Sequence, residues 1–135
     1  MNLKFIRTTL LASAFLAAGL INLSAAETTQ EQYEAMSTKM MSAIESGTFE
    51  KFIEDGDAGW KGLRKAAFDN IASQIGPRLK TGYELRYLGE LQKKRGNETT
   101  QTTLWRLIFA SGADDMLVTM DVTNGKVSGF GFPRV

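Results

Sequence analysis

The chain has 135 residues, a formal net charge of +1, and neither cysteine nor histidine. These absences exclude Ser-His-Asp and Cys-His nucleophile systems, zinc or haem held through either residue, and any disulfide. The near-neutral balance gives no bulk attraction to nucleic acid or an anionic membrane, and no residue pattern asks for a cofactor.

Residues 1–26 read as an export signal. Lys4 and Arg7 supply a positive start, residues 10–23 are apolar apart from small residues and Asn22, and Ser24-Ala25-Ala26 offers a small-residue cleavage site before Glu27. The rival is a retained membrane anchor, since residues 8–26 approach spanning length. Cleavage is favoured because Glu27 and Glu31 follow where a stop-transfer segment places basic residues. Without cysteine there is no lipid attachment either. The expected product is a single domain over 27–135, free in the periplasm or secreted, with no anchor after cleavage.

Charge is unevenly spread along that domain. From Glu27 to Asp57, eight acids stand against Lys39 and Lys51, a net −6; from Ala58 to Arg95, nine bases stand against Asp69, Glu84 and Glu90, a net +6. Either the two stretches neutralise each other in the fold, or Arg64, Lys65, Arg78, Lys80, Lys93, Lys94 and Arg95 form a basic patch for an anionic partner.

Hydrophobic period then sorts helices from strands. Over residues 30–46, Tyr33, Met36, Met40, Ala43 and Ile44 keep to one helix face, and Gly47 ends it. Thr48 is a candidate cap for a short turn carrying Phe49, Phe52 and Ile53. A third helix is predicted over about 59–75, with Asp57 as cap, a stripe of Trp60, Leu63, Ala67, Phe68, Ile71 and Ile75, and a stop at Gly76-Pro77.

The period changes to two after that stop. A first strand over 83–95 sets Tyr83, Leu85, Tyr87, Gly89 and Leu91 against Glu84, Arg86, Leu88, Glu90 and Gln92. A second, over about 98–110, opens Thr-rich and ends apolar in Leu104, Trp105, Leu107, Ile108 and Phe109. A third covers 116–123, and Asn124-Gly125 turns it into a fourth over 126–132. That turn sets Val122 opposite Val127, Met120 opposite Gly129 and Val118 opposite Gly131. The glycines then leave a hollow for Trp60, Phe68 or a ligand. Leu117, Phe130 and Phe132 collect on the other face, with Thr119 and Asp121, as a candidate self-association surface.

Helices followed by four strands give an α+β fold, with N-terminal helices packed on one face of a curved four-stranded antiparallel meander. The element order, the Gly-Pro ending and the closing hairpin Asn-Gly-Lys-Val-Ser-Gly-Phe-Gly-Phe at 124–132 resemble the nuclear transport factor 2-like (cystatin-like) superfamily, particularly its exported bacterial members of unknown function. The resemblance implies a cone-shaped sheet around a long helix, often with a pocket and often dimeric through the sheet. It spans isomerases, dehydratases, ligand carriers and inactive accessory domains.

No catalytic or metal-binding set stands out. Asp55-Gly-Asp57-Ala-Gly lacks later calcium ligands, with Ala66 at the twelfth position, so this cluster and Asp114-Asp115 read as turns. The candidate ligand-binding residues are Trp60, Tyr83, Tyr87, Trp105 and Asp121, and Asp121 is the one acid placed for general-base chemistry if aromatics flank it. The candidate interface residues are Leu117, Phe130 and Phe132. Three functions follow: a non-catalytic domain binding a small apolar ligand or a protein partner, a dimeric accessory protein using its sheet face, and a cofactor-free isomerase or dehydratase built on Asp121 and the tyrosines.

Overall fold

The computed structural model describes residues 28–134, so the export signal at 1–26 lies outside the described residues. The first helix, α1 (Gln30–Ser46), opens with a reciprocal cap: Thr29 Oγ1 accepts from the Gln32 amide, and the Thr29 amide donates to Gln32 Oε1. It closes at Gly47, whose φ of +69° sits in the left-handed region that glycine enters without Cβ strain. Tyr33, Ser37, Met40, Met41, Ala43 and Ile44 form its buried stripe.

A short α2 (Phe49–Ile53) follows and buries Phe52. Thr48 does not cap it; its hydroxyl lies 2.9 Å from Ser46 Oγ instead.

The expected third helix is two helices. Asp57 caps the first, α3 (Ala58–Lys61), by accepting from the Trp60 amide at 2.8 Å, as its position predicts. The chain then leaves the helix at Gly62 and re-enters it as α4 (Lys65–Leu79). Gly59 and Gly62 weaken a continuous helix here, and Trp60 is tethered by its ring 5.4 Å from Phe52 and its Nε1–H on the Phe52 carbonyl. The break lets α3 follow Trp60 while α4 takes its own direction.

Gly76-Pro77 does not stop α4. Pro77 lies within its last turn, and Gly76 is there for contact: a Cβ would sit 3.1 Å from the Ile44 carbonyl oxygen of α1. The helix ends three residues after Gly76, where Gly82 (φ +101°) donates to the Leu79 carbonyl.

Four strands follow as an antiparallel meander in the order β1-β2-β3-β4: β1 (Tyr83–Arg95), β2 (Glu98–Phe109), β3 (Met116–Thr123) and β4 (Lys126–Gly131). Asn124 and Gly125, both at positive φ, make the two-residue hairpin turn. The helices pack on one face, where Trp105, Leu107, Phe109, Val118, Met120, Val122 and Val127 are buried. Asp57 and Asp55 tie the helical layer to the sheet edge through main-chain bonds to Val127 of 2.8 and 2.9 Å.

Two bulges correct the expected register. In β1, Leu88 is an extra residue between the Tyr87–Trp105 and Gly89–Leu104 pairs, and Gly89 takes φ +149°. Leu91 therefore falls opposite Thr102, on the face away from the helices, rather than in line with Tyr87. In β4 the Val122–Val127 and Thr123–Lys126 pairs hold, but Ser128 is extra, so Met120 faces Phe130, Asp121 faces Gly129 and Thr119 faces Gly131. The glycines are thus on the outer face, and no hollow for Trp60 or Phe68 forms opposite Met120.

The Gly76 contact generates a test. Gly76→Ala should lower unfolding free energy by about 1–3 kcal/mol in urea denaturation, because the methyl group meets backbone rather than a movable side chain. A loss below about 0.5 kcal/mol would show that α1 and α4 part freely.

Candidate functional site

On the inner face the expected ligand-binding aromatics are packing groups. Trp105 is 1% exposed; its Nε1 donates to Thr103 Oγ1 (2.9 Å), which donates to the Met120 carbonyl (3.1 Å). Tyr87 meets Trp105 edge-on at 5.0 Å, Tyr83 packs beside Phe109, and Trp60 rests on Phe52. Burial raises the Tyr83 phenol above its ordinary value, with Glu45 adding to it, and burial then Glu90 raise Tyr87. Among the described residues every buried side-chain nitrogen or oxygen has a hydrogen-bond partner.

Asp121 lies on the opposite face from those four residues, so the five do not share one site, and the aromatics do not flank the carboxylate. The expected interface set divides in the same way. Phe130 and Phe132 turn inward, Phe130 edge-on to both Phe52 and Phe132 at 5.7 Å, while Leu117 stays on the outer face. The Ser128 bulge is the cause, since one extra residue moves every later side chain of β4 to the other face.

The outer face has two chemically distinct ends. Toward the start of β1 it carries Leu88, 55% exposed, with Leu104, Ile108 and Leu117 half-buried; Leu91, equally exposed, stands between the two ends, opposite Thr102. Arg86 and Arg106 face each other across β1 and β2, and each has its own carboxylate: Glu84 for Arg86 at 2.8 Å, Asp115 for Arg106 Nε at 2.6 Å. A cleft of about 170 Å³ lies between Leu88, Arg106, Asp115, Met116 and Leu117.

At the hairpin end the face is polar. A cleft of about 260 Å³ is lined by Asp57, Lys93, Arg95, Glu98, Thr100, Asp121, Thr123 and Ser128. Three hydroxyls form its floor: Thr100 and Thr123 are 2.8 Å apart, Thr123 and Ser128 2.9 Å. Thr102 donates to Asp121 Oδ1 at 2.5 Å, and Lys93 Nζ stands 3.8 Å from the same oxygen. Gly129 provides the clearance for this carboxylate, because a Cβ there would lie 3.0 Å from Asp121 Oδ2.

Most of this cleft escaped the sequence reading. The signal that bore on it is the Thr-rich half of β2, whose Thr100 and Thr102 alternate onto the outer face. The basic stretch also divides. Arg78 lies over the Phe109 ring at 4.9 Å near the start of β1, while Lys93 and Arg95 are at that strand's far end, roughly 35 Å away at the usual rise per residue. Lys65 is engaged by Asp69 at 2.8 Å. One continuous basic patch is therefore not formed. Acidic and basic stretches do share a surface locally, since Asp57 lines the same cleft as Lys93 and Arg95. No group of three or more carboxylates suited to a metal occurs among the described residues.

Comparison of the chain with protein families, with curated proteins and with solved structures returns no match.

The tyrosine environment sets an alkaline limit. A phenol raised in the folded state contributes stability below its unfolded value near 10, and that contribution is lost as pH rises through the folded value. In an alkaline titration followed by phenolate absorbance, the difference between the parent and a Tyr83→Phe variant should appear at higher pH in the folded chain than in the chain unfolded by guanidinium. Superimposable curves would show that Tyr83 is solvated.

Proposed function

We propose that the chain is an exported, non-catalytic interaction domain that pairs with a second copy of itself through the outer face of its sheet. The carrying observation is the position of Leu88 and Leu91, more than half exposed and in line with Leu104, Ile108 and Leu117. Covering such side chains is favourable by about 25 cal/mol per Å² of apolar surface removed from water.

The apolar end is continuous across strands, since Leu104 of β2 pairs with Gly89 and Leu117 of β3 with Arg106. A homotypic partner suits the charges as well. Arg86 and Arg106 already have Glu84 and Asp115, so apposing two identical faces strands no charge at this end. Members of the nuclear transport factor 2-like superfamily, which the sequence resembles, are often dimeric through the sheet, and this supports the reading. A second reading, a small apolar ligand, draws on the cleft between Leu88, Met116 and Leu117.

Export supplies the location. The positive, apolar and small-residue order of 1–26 supports delivery to the periplasm or medium.

Native mass spectrometry of the exported protein tests both the pairing and the ligand. A dimer is expected, and the Leu88→Glu, Leu91→Glu double variant should be monomeric yet folded, with a parent-like circular dichroism spectrum and an unfolding midpoint that no longer depends on protein concentration. A monomeric parent protein at about 100 μM rejects pairing of ordinary affinity, and a monomer carrying a co-purified apolar molecule favours the second reading. Cell fractionation should find a shortened product beginning at Glu27; a full-length species in membranes would overturn the export assignment.

A further inference from the structure

We infer that the polar cleft at the hairpin end of the outer face binds a small zwitterion of amino-acid size, its carboxylate on Arg95 and Lys93 and its ammonium on Asp121 and Asp57. The lining decides the class of ligand first. No aromatic or branched aliphatic side chain lines this cleft, so a sugar or base has no ring to stack on, and apolar contact is limited to threonine methyl groups and the stems of Lys93 and Arg95. What remains is recognition by charge and hydroxyl.

The charges are sorted by strand. Lys93 and Arg95 come from β1, Asp121 from β3, and Asp57 from the segment bonded to the far side of β4. Between them lies the floor of Thr100, Thr123 and Ser128, three hydroxyls joined by two hydrogen bonds, which leaves one hydroxyl proton for a ligand acceptor. Two cations and three carboxylates, counting Glu98, leave the cleft at −1. A free polyanion is repelled by the acids, and a metal dication by Lys93 and Arg95. A molecule carrying one charge of each sign satisfies both walls.

The groups are poised rather than closed on one another. At 3.8 Å, Lys93 Nζ and Asp121 Oδ1 are too far apart for a hydrogen bond, and Arg95 and Glu98 have no ion-pair partner among the described residues. Asp121 Oδ1 is taken by Thr102, which leaves Oδ2 as an acceptor above Gly129. Asp57 uses Oδ1 to cap Trp60 and likewise keeps its second oxygen. A ligand whose ammonium and carboxylate are separated by one or two carbons fits a cation and a carboxylate this close. It exchanges one loose ion pair for charge-assisted hydrogen bonds at both ends, with the planar Arg95 guanidinium suited to bidentate contact.

Titration of the protein with glycine, L-alanine and β-alanine, against acetate, phosphate and methylammonium as single-charge probes, tests this by calorimetry or by amide shifts of Thr100, Thr123 and Ser128. A dissociation constant on the order of 0.1–1 mM is expected for at least one zwitterion, with each single-charge probe weaker by about tenfold or more. Arg95→Gln and Asp121→Asn should each reduce zwitterion affinity by about tenfold, whereas Arg64→Gln should not. The single Leu88→Glu variant, changed on the far side of the β1 bulge from Lys93, should bind as the parent does, which separates this site from the proposed pairing face. Binding of acetate or phosphate as tight as that of the zwitterions would reassign the cleft to anions, and equal binding of methylammonium would reassign it to cations. No binding by any of the three zwitterions at about 20 mM would overturn the proposal.

Discussion

Phe52 is the point where the helical layer and the sheet become one core. Its ring is 5.4 Å from Trp60 of α3, 5.0 Å from Phe68 of α4 and 5.7 Å from Phe130 of β4, and it is 1% exposed. Three elements that follow it in sequence are thereby held to a five-residue helix. Such a helix has little stability of its own, so it persists because its aromatic side chain is surrounded. Trp60 strengthens the arrangement by donating its indole N–H to the Phe52 carbonyl, which ties ring packing to backbone position.

The contact with Phe130 depends on a detail of the sheet. Without the extra residue at Ser128, Gly129 would stand opposite Met120 and Phe130 would point away from the helices. The bulge brings Phe130 inward to Phe52 and sends Gly129 outward beneath Asp121. One inserted residue therefore completes the core on one face and opens the polar cleft on the other. The β1 bulge works in the reverse sense, since it moves Leu91 outward to join Leu88, Leu104, Ile108 and Leu117. Both features proposed as functional are products of these two irregularities, in keeping with the frequent use of bulges to re-aim side chains at binding sites.

Electrostatics follow the same division. Lys39 of α1 bridges Glu54 and Asp55 at 2.6 and 3.2 Å, which raises its own proton affinity and lowers that of Glu54, chiefly through their mutual hydrogen bond. These groups are at the surface, and their role is to orient the segment whose Asp55 carbonyl and Asp57 amide bond Val127, rather than to add much stability. The helical layer is thus anchored to the β4 edge twice, by the Phe52 rings inside and by this short parallel bridge outside. The outer face near the start of β1 carries only internally matched pairs, whereas the hairpin end holds one loose pair, Lys93 with Asp121, and leaves Arg95 and Glu98 without an ion-pair partner among the described residues.

Local chemistry alone determined a large part of this protein. The bounds of α1, the glycine that ends it, the Asp57 cap, the Asn124-Gly125 turn and the meander all follow from capping, period and positive-φ preferences within a few residues. So does the exclusion of imidazole and thiol chemistry. Other features depended on tertiary contacts. Gly76-Pro77 carries a stop signal, yet α4 continues through it because Gly76 packs on Ile44, thirty-two positions earlier in the chain. The bulges at Leu88 and Ser128 exist only as mismatches between paired strands, so neither strand reveals them by itself. Asp121, Trp105, Phe130 and Leu117 were legible as candidates, but the face each occupies depends on a one-residue register. Side chains alternate across a strand with a period of two, so a single inserted residue reverses every assignment after it, and only the paired sheet records where that residue lies.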